Sequence, residues 1–550
     1  MAQVLAPAAR DQAIQVGSAW ALREAMGDGA SPGGITCVTW NVAAINNNPF
    51  EYWVTHDNAA YLRLMEDVQA FIDKPTGDQD VEVSSVFPDS LFEELATAMT
   101  AEGWSGVEET RQLWLSDFSK RRIVSAFLKD KQIGAKRLAS MPDRLTNTID
   151  LASGEKACRP TVISNYSQPL PDIPAWWTSW KAFMFKDELE VPAKGGDSKR
   201  VRPCALLSRI PRAKYPAITE SEEAISVPLQ ALCCAVFDAI LVHMLTTVAP
   251  DSWQAVKVAL CKALCTNKAM LTIKILEEQY AQADVIFLQE CAAAFTDALS
   301  KSPGLSSRFH VLVPAELDTK RDQNSLVLAS RSRFDVEGIQ EVTAAAAKRV
   351  EDAGGAGLAA GDLYAAVVRP AAGGPDSTSF LLASFHGDTD GLMTVPVLDA
   401  ICATREACGE PKPCFIFGLD ANAYSKGAVG KKLGAQEFTE ACAARGLGEC
   451  WSGQTAVAPL ECCTTFNART YLQPQLNKAV SRGAAGMDPN TDRNPKDYIV
   501  FDTKQLVPAG PPERDNTGKR GAFDADAPFP TLNFPSDHAA LLSVLTPVPA

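Results

Sequence analysis

The sequence predicts an α/β protein built on a mixed β-sheet, and three observations carry the prediction. Residues 284–290 read Asp-Val-Ile-Phe-Leu-Gln-Glu, an apolar run behind a helix-like segment that ends in two polar residues. That is the pattern of a strand buried on both faces. Short apolar runs recur at 35–41, 324–330, 363–368, 380–385, 414–417, 497–501 and 539–545, several of them separated by helical periodicity. Polar residues stand where these runs start or stop. Asn41, Glu290, His386 and Asp420 with Asn422 follow their strands, whereas Asp497, and Asp537 with His538, open theirs. In a mixed sheet an antiparallel strand begins at the rim where its neighbours end, so all of these residues are expected at one rim.

Taken in order, residues 1–34 read as a short helical lead closed by the breaker run 27–34, Gly-Asp-Gly-Ala-Ser-Pro-Gly-Gly. Residues 35–41 are rich in β-branched and aromatic types and form a strand, followed by turn chemistry at Asn46, Asn47, Asn48 and Pro49. Residues 61–72 and 91–99 have helical periodicity, and 224–250 is the most apolar stretch of the chain. Gln230, Asp238 and His243 interrupt it. A central Asp costs about 2.5–3.5 kcal/mol on insertion scales, so a buried helix is favoured over a membrane span. Helices are expected at 271–282, 395–408 and 436–445, a surface helix and loop at 342–361, and a Pro- and Gly-rich loop at 507–535.

Composition narrows the class. With 550 residues, 46% hydrophobic and 21% charged, the chain can bury sizeable cores. A formal charge of −14 excludes sequence-blind nucleic-acid binding over the whole surface, because phosphate neutralisation needs Lys and Arg. A local groove stays open. The basic clusters within 120–137 and 194–214, the second containing Arg200 and Arg202, lie on either side of Trp176, Trp177 and Trp180. Cations tracking phosphates, with aromatic stacking platforms, would use these residue types. Fifteen cysteines without a Cys-x-x-Cys pair, and an N-terminus lacking an apolar signal core, point to reduced thiols in the cytoplasm or nucleus.

The rim inventory makes chemical sense as one site. Carboxylates are hard oxygen ligands suited to Mg²⁺, His can move a proton, and Asn supplies a neutral donor and acceptor. Trp40-Asn41, Leu288-Gln289-Glu290, Phe385-His386-Gly387, Leu419-Asp420-Ala421-Asn422, Asp497-Tyr498-Ile499 and Ser536-Asp537-His538 resemble, in order, the motifs of the endonuclease/exonuclease/phosphatase superfamily, whose best-known fold is that of deoxyribonuclease I. The resemblance implies a four-layered α/β sandwich of two packed mixed sheets, formed by 35–50 and 270–548, with a mainly helical domain, 51–269, inserted between Asn41 and Glu290. It further implies a Mg²⁺- or Mn²⁺-dependent phosphoester hydrolase. On that reading Glu290, Asn41 and Asp537 hold the metal or its water, Asp420 and Asn422 position the attacking water, and His538, oriented by Asp497, serves the scissile phosphate. His386 stabilises developing charge, and Asn324 is a substrate contact; Arg200 and Arg202 are substrate contacts offered separately by the basic cluster of the insertion. Two departures are visible: Gly418 stands one place early in the usual Gly-Asp-x-Asn, and Ala43 replaces the acidic residue of apurinic endonucleases.

The substrate expected first is a nucleic-acid phosphodiester, RNA in particular, with single-stranded nucleic acid as partner. An inositol phosphate or phospholipid is the alternative enzyme substrate, left open by the acidic charge and the apolar run 224–250. A non-catalytic scaffold of the same fold is the alternative outside catalysis.

Overall fold

A computed structural model describes residues 34–193, 196–319, 321–355, 357–372, 377–474, 476 and 492–549. The expected helical lead 1–34 lies outside the described residues except for Gly34. The strands of the sandwich are, in chain order, Ile35–Asn41 (β1), Val285–Cys291 (β2), Phe309–Leu312 (β3), Asn324–Ser330 (β4), Phe334–Glu341 (β5), Leu363–Pro370 (β6), Phe380–His386 (β7), Cys414–Asp420 (β8), Leu447–Glu449 (β9), Asp497–Asp502 (β10), Leu506–Pro508 (β11), Glu513–Asp515 (β12) and Ala540–Pro547 (β13). Two mixed sheets result. The 7-stranded sheet runs β11-β13-β1-β2-β4-β3, with β12 also pairing on β13; the 6-stranded sheet runs β9-β10-β8-β7-β6-β5. Each centres on a parallel pair, β1 with β2 and β7 with β8, flanked by antiparallel strands.

Strand alternation builds the layers. On β2, Val285 and Phe287 enter the core between the sheets, opposite Ile416 and Gly418 of β8, while Phe415 turns to the covering helix beneath Arg405. Ile286 and Leu288 face the other way, onto helices Lys268–Gln279 and Ala293–Lys301 through Leu276 and Leu299. The far face of the second sheet is covered by Thr343–Asp352, Thr394–Glu406 and Ala435–Ala444 through Val350, Ile401 and Phe438. The chain therefore has the four-layered α/β sandwich, helix–sheet–sheet–helix, that its motifs imply. The short strands β3, β5, β9, β11 and β12 carry no distinct sequence signal; β11 overlaps the start of the stretch read as a loop at 507–535, and β12 lies inside it.

A second, helical core lies between β1 and β2 in sequence. Its centre is Ser226–Val248, the one described helix long and apolar enough to cross a membrane, which is 78% buried inside the protein. Asp238, fully buried in that helix, is answered by Arg159, which spans both carboxylate oxygens at 2.8 and 3.3 Å, by the Thr161 hydroxyl at 2.7 Å and by the Trp180 indole at 2.9 Å. A charge so completely partnered belongs in a protein core. The same packing corrects the expected stacking platform. Trp176, Trp177 and Trp180 are buried, and their indole nitrogens are spent on Pro160, Glu94 and Asp238. This core also takes in Ala468, Tyr471, Leu472 and Leu476, so a late segment of the chain folds back onto the helices.

Two predictions follow from packing and burial. A Cβ built on Gly418 would lie 2.3 Å from Cγ and Cδ2 of Phe287 across the inter-sheet core. Gly418→Val is expected to lower unfolding free energy by about 1–3 kcal/mol or more in denaturant titration, because the opposing ring has no slack. In the helical core, Lys257 donates to the carbonyls of Thr161 and Tyr166 at 2.7 and 2.8 Å, and burial brings its ammonium down from 10.5 to about 8. Between those values the unfolded chain binds the proton and the folded chain does not, so the Lys257 contribution to stability rises with pH. The stability of the wild type relative to Lys257→Met should be flat below pH 8 and climb from there to pH 10.5.

Candidate active site

The rim residues meet because both parallel pairs end at the same edge. On β1 the alternation that sends Ile35 and Cys37 between the sheets also brings Asn41 to that side. On β2 the alternation alone would send Glu290 with Leu288 onto the helix-covered face. A register shift between Leu288 and Cys291 against β4 prevents this, and Glu290 takes a left-handed φ of 57°. The bulge re-aims the carboxylate into the cleft, at a conformational cost of roughly 1–3 kcal/mol. Its neighbour Gln289, fully buried, donates to Thr39 Oγ1 at 3.1 Å on its own sheet and to Ser384 Oγ at 3.0 Å on the other. That polar bridge fixes the spacing of the two sheets beneath the site.

The Asn41 amide is the junction. Its Nδ2 donates to Glu290 Oε1 at 3.1 Å and to Asp420 Oδ2 at 3.0 Å, while its Oδ1 accepts from the Ala43 amide at 2.9 Å. The Ala44 amide donates to Glu290 Oε2 at 2.7 Å. His386 Nε2 lies 3.2 Å from Glu290 and 3.7 Å from Asp420. Burial opposes ionisation of Glu290, yet the His386 ring and the Ala44 and Asn41 amides hold its carboxyl down to about 2. On the second sheet Asp420 pairs in register with both His386 and Asp497. Asp497 Oδ2 meets His538 Nδ1 at 2.9 Å, and His538 Nε2 stands 3.7 Å from Asp420. Burial works against charge on the His538 ring, but the Asp497 and Asp420 carboxylates raise it to about 10. Asp420, Asp497 and His538 form a buried cluster whose ligand-type atoms all lie within 4.8 Å.

The structure thus gathers Asn41, Glu290, His386, Asp420, Asp497 and His538. Asn422 and Asp537 line the same cleft, of about 1160 Å³. Three expected residues lie elsewhere or are otherwise occupied. Asn324 is fully buried and structural: its Nδ2 donates to the carbonyls of Cys291 and Asp318, and its Oδ1 accepts from the Asp318 amide. Arg202 pairs with Glu102, and Arg200 sits opposite Glu190 in a short hairpin; neither lines the cleft. The cations that do line it are Arg321, Lys426, Lys432, Arg469, Arg493 and Lys496. Burial works against the Lys496 ammonium, but Asp492 and Asp420 hold it above its ordinary range. Of these, Lys496 was findable, one place before the Asp497 motif; the others come from loops without a pattern.

Asn422 has a left-handed φ of 49°, and its backbone amide donates to Asp420 Oδ1 at 2.8 Å, while its side chain makes no hydrogen bond with a described residue. Asn422→Gly keeps that backbone bond and suits the conformation. The melting temperature should be unchanged or raised; a loss of more than about 1 kcal/mol would make the side chain structural rather than functional.

A family model described as Domain of unknown function (DUF8234) matches residues 80–258, within the helical region. No curated protein matches the chain by sequence. Among solved structures, D. rerio TDP2 complexed with single strand DNA product is 12% identical, over 52% of this chain and 95% of that one, with a TM-score of 0.33. ANGEL2, a 2′,3′-cyclic phosphatase, in complex with adenosine-2′,3′-vanadate is 13% identical over 52% and 87%, with a TM-score of 0.33. The human Nocturnin catalytic domain with bound sulfate anion is 14% identical over 53% and 89%, with a TM-score of 0.31. By the layers and strand order of its own two sheets, and by the order of its rim residues, the chain has the sandwich fold of the endonuclease/exonuclease/phosphatase superfamily.

Proposed function

We propose that the chain is a Mg²⁺-dependent phosphoester hydrolase acting on a nucleic-acid phosphodiester, single-stranded RNA in particular. The observation that carries this is the convergence of Glu290 and Asn41 from one sheet with Asp420 from the other, on the floor of a cleft whose lining carries six cations beside six carboxylates. Carboxylate oxygens suit Mg²⁺, or Mn²⁺, and Glu290 and Asp537 are assigned to it, with Asn41 beside them holding Glu290 and Asp420 through its Nδ2. The Asp420–Asp497–His538 cluster is assigned instead to proton movement, because His538 Nδ1 is engaged by Asp497 while its Nε2 stands 3.7 Å from Asp420. When bound, the metal supplies Lewis-acid neutralisation of the phosphoryl oxygens.

The protein's own groups do the rest. Asp420 accepts a proton from the attacking water, and the Asn422 amide holds that water in line. The water oxygen bonds to phosphorus, the bond to the leaving oxygen breaks, and a monoester and an alcohol separate. His538, oriented by Asp497, donates to the phosphate or the departing oxygen. His386 is placed to stabilise negative charge beside Glu290. The cleft cations offer phosphate contacts to a single strand. The same reading assigns 35–50 and 270–548 to the catalytic unit and 51–269 to an insertion. Burial of Ser226–Val248 removes the apolar run as a reason to favour a lipid substrate.

The test is hydrolysis of bis-p-nitrophenyl phosphate and short oligonucleotides with Mg²⁺ or Mn²⁺. Glu290→Gln and Asn422→Gly should each lower kcat by about 100-fold or more, the scale on which one preorganised charge-stabilising group is felt. Unchanged turnover in Glu290→Gln would sink the assignment.

A further inference from the structure

The cleft with the six cations is one of two depressions that meet at the rim. The second, of about 480 Å³, lies between the loop at 45–48 and the segment at 143–148, the C-terminal end of helix Ser140–Thr146 and the two residues after it. The two share Tyr52, Glu290, Gln323 and Asp537, so they open onto the same carboxylates from different sides. Their chemistry differs. In the second groove Glu51 and Asp143 are already paired, with Arg469 and Arg159, which leaves Arg144 and Lys268 as its cations and Asn46, Asn47 and Thr148 among its neutral polar groups. Arg144 is exposed and forms no ion pair with a described residue. Lys268 is buried, with Asp537 and Glu290 as the carboxylates acting on it.

Resting on the hydrolase reading above, we infer that this second groove is a nucleoside subsite, built in part by the helical insertion, which takes the sugar and base joined to the scissile phosphate on the side away from the larger cleft. Amides and hydroxyls match base edges and sugar hydroxyls, and a planar, unpaired guanidinium stacks on a base. The volume falls in the range of small-molecule sites. A molecule seated in both depressions passes its phosphate across Glu290 and Asp537. The substrate is then a diester with an organic group on each side, not a terminal monoester. Polyanionic chain lies along Lys426, Lys432 and Arg493, and the nucleoside lies against Arg144 and the asparagine loop.

The experiment compares a dinucleoside monophosphate, bis-p-nitrophenyl phosphate and a nucleoside 5′-monophosphate on wild type and Arg144→Ala, a substitution at an exposed residue outside the catalytic set. The wild type should cleave both diesters and favour them over the monoester. Arg144→Ala should raise KM for the dinucleoside monophosphate about tenfold, the order expected for one lost stacking contact, with kcat within twofold and no change on bis-p-nitrophenyl phosphate. An unchanged KM, an equal rise on both diesters, or preference for the monoester overturns the subsite while leaving the hydrolase intact. Failure to cleave any of the three with Mg²⁺ or Mn²⁺ overturns both.

Discussion

The rim of the sandwich depends on one side-chain amide. Glu290 and Asp420 belong to different sheets, yet both reach within about 3 Å of Asn41 Nδ2. Two carboxylates a few ångström apart repel by an amount on the order of 4 kcal/mol at an effective dielectric of 20. The Asn41 amide, the Ala44 backbone amide and the His386 ring offset this with donors. Gln289 performs the matching task one residue deeper, joining Thr39 to Ser384 across the inter-sheet gap. The site is a negative pocket kept shut by hydrogen bonds and ready for a cation.

Strain and polarity are concentrated where the fold changes rule. Glu290, Ala43 and Asn422 all have left-handed φ, at 57°, 56° and 49°, and all stand where a strand of the central pairs gives way to the rim. Regular alternation would bury these side chains or turn them to the helices. The core between the sheets, where Phe287 packs directly on Gly418, over-determines the backbone enough to hold them.

Much of this was legible in residue order. The apolar runs ending at Asn41, Glu290, His386 and Asp420 are strands, and their polar ends do meet, because a buried strand advertises itself and its rim is where polarity can return. Substrate contacts were less legible. Arg200, Arg202 and Asn324 looked available in a one-dimensional reading, but Glu102 and two backbone carbonyls consume Arg202 and Asn324. The tryptophans, whose spacing near cations suggested stacking, belong to a core organised by Asp238 and Arg159. Conversely Arg144, Lys268 and Arg469 lie on segments without periodic or motif signal and reach the rim only through tertiary packing.

The parallel pair β1–β2 joins residues whose ladder partners lie roughly 250 positions apart, Cys37 with Val285 through Asn41 with Gln289. Closing so long a loop from an unfolded chain costs about 2 kcal/mol more than closing one of some 30 residues, since each doubling adds about 0.6 kcal/mol. A helical body that folds first brings the Asn41 end and the Lys268 end close together and removes most of that cost. Formation of the rim is then subordinate to the helical core around Ser226–Val248, and damage at Asp238 or Arg159 should surface as slow assembly of β1 against β2.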